Sequence, residues 1–258
     1  MLRHLLTALI LSAGLATAQD RASLVLPPPP SPNPPVVSPK ANVERLDETH
    51  FQIGEIKFDS ATREIRFPAA VNMTEGLLEY AIVHTRGKLH EALLVTSISA
   101  THLNLALTLL RYPSSPELYA LPNDKGGLTN QFPEVDPATQ AAARVQVNIQ
   151  WDDAGKSRTV PFNEWIQHAT NGSVMPETLW LYGGAEVSEG RLVAEATGDI
   201  MAIFTAKSAL FNYPGKGHDD DTVWLPFPKR VPAVGTKVTV IIAPNPELKA
   251  ISKPISKP

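Results

Sequence analysis

The segment Lys88-Leu89-His90-Glu91-Ala92-Leu93-Leu94 sets a lysine, a histidine and a glutamate together ahead of an apolar run. His90-Glu91 invites comparison with the HExxH pattern, in which two histidines one helical turn apart bind zinc and the glutamate acts as base. Leu94 stands where the second histidine would be, so a local zinc motif is absent. A site assembled from separate segments stays open, because imidazole and carboxylate ligands suit zinc or another first-row metal. Lys88, His90, Glu91, His102 and Asp199 are therefore the ligand-binding candidates. His90, Glu91, His102 and Asp199 form the metal set, with a divalent metal as the cofactor it would hold. The plainer alternative is a histidine and a glutamate that hydrogen-bond a turn.

Other chemistry finds less support. His218-Asp219-Asp220-Asp221 offers oxygen ligands in a loop, but Val223, Trp224 and Leu225 follow where an EF-hand needs alternating ligands and a terminal glutamate, so a solvated acidic turn is expected. The chain has no cysteine, which excludes disulfides, zinc–thiolate sites and iron–sulfur clusters. It also lacks a G-x-S-x-G elbow, an S-x-x-K motif and the glycine-rich phosphate loops. A formal net charge of −3, with no lysine or arginine run, removes the electrostatic footprint of a nucleic-acid binder. Asn72-Met73-Thr74 and Asn171-Gly172-Ser173 match the short glycosylation pattern, and the tryptophans Trp151, Trp165, Trp180 and Trp224 lie in apolar segments suited to a core.

Residues 1–18 read as a cleaved signal peptide. Arg3 supplies the positive start, Leu5 to Leu15 the apolar stretch and Ala16-Thr17-Ala18 the small-x-small site before Gln19. Its apolar run is well short of the ~20 residues that cross a bilayer, and no later segment is long enough, so no transmembrane segment is expected in the mature chain. Residues 19–40 are a proline-rich disordered tether: 27–39 read PPPPSPNPPVVSP, which favours extended polyproline II. Residues 246–258, with the repeated Ile-Ser-Lys-Pro, are expected to be a flexible tail.

Between them, residues 41–245 are mainly strands. HFQIGEIKF (50–58), REIRFPAAV (63–71), GLLEYAIVHT (76–85), RVQVNIQW (144–151), KSRTVPF (156–162), TLWLYGG (178–184), GRLVAEA (190–196), DIMAIF (199–204) and VGTKVTVIIAP (234–244) carry the pattern. Asp152-Asp153-Ala154-Gly155 predicts a hairpin turn. Helices are expected over 100–112, capped by Thr101, and in two shorter stretches, 163–169 and 208–213. Residues 113–142 form a long loop of the kind that serves as a lid or mobile insertion. The expected fold is α+β: a predominantly antiparallel β-sheet with two or three short helices. Two subdomains meeting near residue 140 are the alternative.

Gly87-Lys88-Leu89-His90-Glu91-Ala92-Leu93-Leu94 and the apolar helix after it resemble the YdjY family of bacterial envelope proteins. So do Ala196 to Phe204, Ser208-Ala209-Leu210, Asp220-Asp221 and Val234 to Val240, in order across roughly residues 52–244. The family commonly has serine where Ala92 stands, a departure that weakens the case for a nucleophile beside His90. The resemblance implies one exported domain, periplasmic or extracellular, and leaves its activity open. The expected role is a non-enzymatic extracytoplasmic binding or scaffold module for an envelope protein or a small ligand, using residues 86–102 and the 113–142 loop. A metal-binding protein or metal-dependent enzyme is the alternative.

Overall fold

The computed structural model describes residues 42–251; the expected signal peptide, the tether and the last residues of the expected tail lie outside the described residues. In chain order the strands are β1 (Val43–Arg45), β2 (His50–Ile53), β3 (Ile56–Asp59), β4 (Ile65–Val71), β5 (Tyr80–His84), β6 (Ala92–Thr96), β7 (Arg144–Asp153) and β8 (Lys156–Pro161). They continue as β9 (Ile166–His168), β10 (Trp180–Tyr182), β11 (Val187–Ser188), β12 (Arg191–Leu192), β13 (Asp199–Ala202), β14 (Phe211–Asn212), β15 (Trp224–Pro226) and β16 (Lys237–Pro244). The short helices are α1 (Ala100–Leu109), α2 (Pro137–Ala143), α3 (Val193–Thr197) and α4 (Pro246–Ile251).

The expectation of an α+β domain on an antiparallel sheet is corrected here. The sheet runs β4-β16-β7-β10-β14-β13-β5-β6, and β6 pairs back onto β4 through Ala70↔Val95 and Val71↔Leu94, closing an eight-stranded barrel. Two pairings within it, β5–β6 and β13–β14, are parallel. The chain is mostly β, with helices reduced to single turns or a few. Period-two alternation marks a strand with one buried face whether its sheet is open or closed, so the pattern carries no information on closure. β7 shows the alternation in full: Val145, Val147 and Ile149 point inward and are buried. β7 pairs with β16, which pairs with β4, so the segments before and after residue 140 share one sheet.

Two expected helices are also corrected. Residues 163–169 form a 3-10 turn, Phe162–Trp165, followed by β9, and 208–213 ends in β14. Conversely, 193–197 of an expected strand is α3, stopped by Gly198 in the left-handed region at φ 82°. The segment 100–112 is helical over α1, which buries Leu103, Ala106 and Leu107 in the core. Its cap is Ser99, whose Oγ accepts from the His102 N–H at 3.2 Å, rather than Thr101. The stretch 113–142 gains α2 near its end.

Candidate functional site

β5 and β6 lie parallel, so the chain must cross back over the barrel wall between them. It does so in residues 85–91, far shorter than the dozen or so residues such a crossover usually takes. Glycine makes the short path feasible. The Gly87 backbone lies against Gly198: a Cβ on Gly87 would stand 3.1 Å from the Gly198 carbonyl oxygen, and one on Gly198 would stand 2.9 Å from the Gly87 Cα. His84 N–H donates to the same Gly198 carbonyl at 2.7 Å. Lys88 and Asp199, each next in sequence to one of these glycines and more than a hundred residues apart in the chain, are thereby delivered to one patch.

That patch sits on a small apolar cluster of Tyr80, Val83, Ala92, Ala202 and Ala209, distinct from the main core. Lys88 Nζ donates to the Tyr80 hydroxyl at 2.5 Å and lies 4.5 Å from the centre of its ring. Glu91 Oε1 is 4.0 Å from Nζ, and Glu91 Oε2 is 3.5 Å from Nε2 of His90, whose side chain is 80% exposed. Asp199 is 1% exposed. Ser208 Oγ donates to its Oδ2 at 2.6 Å, while its buried Oδ1 has no partner among the described residues. A buried carboxylate oxygen without a donor is costly, which makes it the feature of this patch most in want of a ligand.

The charges reinforce one another. Burial pushes the Tyr80 phenol above its ordinary pKa, and the neighbouring Asp199 charge adds to this against the pull of Lys88. Burial draws the Lys88 ammonium down, but the bond to Tyr80 and the charges of Asp199 and Glu91 outweigh it, so its pKa is raised. Lys88 therefore stays a cation and Tyr80 a neutral phenol, which accepts from Lys88 and keeps its own proton to donate. On the next turn, burial and the charges of Glu91 and Asp221 raise the Glu79 carboxyl.

The surroundings hold this arrangement in place. Asn72 Nδ2 donates to the carbonyls of Leu89 at 2.6 Å and Ala92 at 2.7 Å, so this asparagine of a glycosylation pattern is occupied with fixing the 88–92 turn. Leu93 and Leu94 follow and are fully buried. Asn212 Oδ1 accepts from the Ala206 N–H at 2.8 Å, and Asn212 Nδ2 donates to the Tyr119 hydroxyl at 3.0 Å. The 113–142 segment is thus tied to the loop that presents Ser208. In the acidic turn, Asp220 accepts from Thr222, and His218 bonds Thr205.

A second buried carboxylate lies on the far side of Gly198. Glu195 Oε2 accepts from Ser99 Oγ at 2.7 Å and from the Thr101 N–H at 3.0 Å, and Oε1 is 3.4 Å from Arg86. Burial pushes this carboxyl up, yet those donors and the Arg86 charge outweigh it and leave its pKa below the ordinary value. It closes the N-terminus of α1.

Of the sequence candidates, the structure gathers Lys88, His90 and Glu91 on one turn and brings the Asp199 charge within electrostatic reach of Lys88. His102 is elsewhere, packed against the Gly54 turn, where a Cβ would come 3.1 Å from its Nδ1. Among the described residues no three histidine, cysteine, aspartate or glutamate side chains come together to hold a metal ion. Sequence reasoning missed Tyr80, Ser208 as a partner of Asp199, and Glu195 altogether. Only Ser208 had a signal, its place in the family-like segments; Tyr80 reads as one more strand residue. No helix among the described residues is long and apolar enough to cross a membrane.

The model of the YdjY domain matches residues 56–243, which includes the Gly87–Lys88 and Gly198–Asp199 segments. No curated protein and no solved structure matches the chain.

Proposed function

We propose a binding role for this chain, which belongs to the YdjY family: it is an exported binding module that takes a small polar ligand at the Lys88–Tyr80–Asp199 patch. The observation that carries this reading is the Asp199 Oδ1, unpartnered among the described residues, within electrostatic reach of a cation and a phenol that can bond further. Such a ligand offers an acceptor to Lys88 and Tyr80 and a donor to Asp199. Amino acids and amino sugars combine both groups. Lys88 has a half-exposed side chain and gates the patch, and access requires it to swing off Tyr80. The proline-rich segment ahead of the domain serves as a spacer that holds it away from the envelope surface.

Thermal-shift screening of the chain from Gln19 onward against amino acids and amino sugars tests the proposal. A saturable rise in melting temperature that disappears in both Lys88→Ala and Asp199→Asn supports it. A rise that survives in both variants, or no saturable rise across the panel, overturns it. N-terminal sequencing of protein recovered outside the cytoplasm should begin at Gln19.

A further inference from the structure

Another cleft opens where β7 and β8 run past the rest of the barrel. The pairing of β7 with β16 ends at Gln150, so the next inward position, Trp151, has no β16 neighbour to cover it. Trp151 is accordingly half-buried, whereas Val145, Val147 and Ile149 on the same face are buried. Its ring meets buried Trp165 edge to face, with centroids 5.1 Å apart. Together with Val160 and Val231 the two indoles line a cleft of about 380 Å³, a size typical of small-molecule sites.

The rim carries charge of both signs. Arg158, directly across the hairpin from Trp151, pairs with Asp153 at 2.6 Å. Arg230, stacked 4.8 Å from the Phe227 ring, pairs with Glu164 at 3.1 Å. Each arginine is thus matched by a carboxylate. Lys229 is a third cation on the rim and has no hydrogen bond or ion pair among the described residues. The cleft therefore has an excess positive charge on a chain whose net charge is −3.

We propose that this cleft binds a saccharide that bears a carboxylate, a uronate-type sugar. The C–H face of a pyranose ring lies on the open face of Trp151, and its carboxylate meets Lys229. Sugar hydroxyls donate to Asp153 and Glu164 and accept from Arg158 and Arg230, so a ligand rich in hydroxyls satisfies a rim of mixed sign. A flat aromatic acid would offer those carboxylates no hydroxyl donor beyond the arginines they already pair with.

Titration of the chain from Gln19 onward with trigalacturonate, followed by tryptophan fluorescence and calorimetry, tests this. Maltotriose serves as the neutral match. Saturable binding of trigalacturonate is expected, with affinity at least about tenfold lower for maltotriose and in Lys229→Glu. Trp151→Ala should abolish binding. Lys229 is exposed, so its variant reads the site even if Trp151→Ala fails to fold. Lys88→Ala should bind trigalacturonate like the native chain, which separates this cleft from the Lys88 patch. Absence of saturable binding up to about 10 mM, equal affinity for maltotriose, or unchanged affinity in Lys229→Glu would overturn the proposal.

Discussion

Glu195 and Asp199 are buried carboxylates on either side of Gly198, and their surroundings treat them in opposite ways. Glu195 receives Ser99, the Thr101 amide and Arg86, so its acceptors are filled and its charge closes a helix end. Asp199 receives Ser208 on one oxygen and, among the described residues, nothing on the other. Burial is thus common to both carboxylates, and the completeness of their hydrogen bonding is what differs. A filled carboxylate contributes to stability, whereas an unfilled one costs stability, which is why the proposed ligand site is centred on Asp199.

The largest expected effect comes from the hinge between them. Gly198→Ala forces a left-handed φ on alanine and drives a Cβ to 2.9 Å from the Gly87 Cα. A loss of about 3 kcal/mol or more is expected in chemical denaturation, together with loss of ligand response at the Lys88 patch. Next is Glu195→Ala, which strands the donors of Ser99 and Thr101 at the start of α1 and should cost about 2–3 kcal/mol. Asp199→Asn should behave differently. It removes a buried charge while an amide oxygen can still accept from Ser208, so stability should change by less than about 1 kcal/mol while binding is lost. Equal destabilisation by Glu195→Ala and Asp199→Asn would erase the contrast.

A pH series sharpens the same contrast. The folded-state pKa of Glu195 lies below its unfolded value, so its contribution is present above the ordinary glutamate range and is lost as pH falls from that range through the lowered value. The melting temperature of Glu195→Gln should therefore fall less steeply than that of the native chain across that window. Parallel curves would show that ionised Glu195 gains nothing from its partners. The smallest effect belongs to exposed His90: His90→Ala should shift stability by no more than about 0.5 kcal/mol, as judged from its melting curve.

Much of this site's raw material is legible in the sequence. The Lys88–Glu91 cluster, the Gly198–Asp199 pair and Ser208 all stand in the segments that resemble the YdjY family, and the family match covers them. Their grouping is not legible, because it depends on Gly87 lying against Gly198, a contact made across more than a hundred residues of chain. Glu195 was invisible for the same reason. It sits in what alternation presents as a strand, and its role depends on donors from Ser99 and Thr101.

Local chemistry settled by the sequence alone includes the strand-rich character and the Asp152–Gly155 hairpin between β7 and β8. Side-chain periodicity and turn residues act over a few neighbours, so they are written in the order of the residues. Closure of the barrel by β4 and β6, the parallel pairing of β5 with β6, and the unequal bonding of Glu195 and Asp199 were decided only by the tertiary structure. A strand shows the same alternation to any partner, and a carboxylate is filled or left open by whichever donors the rest of the chain brings to it.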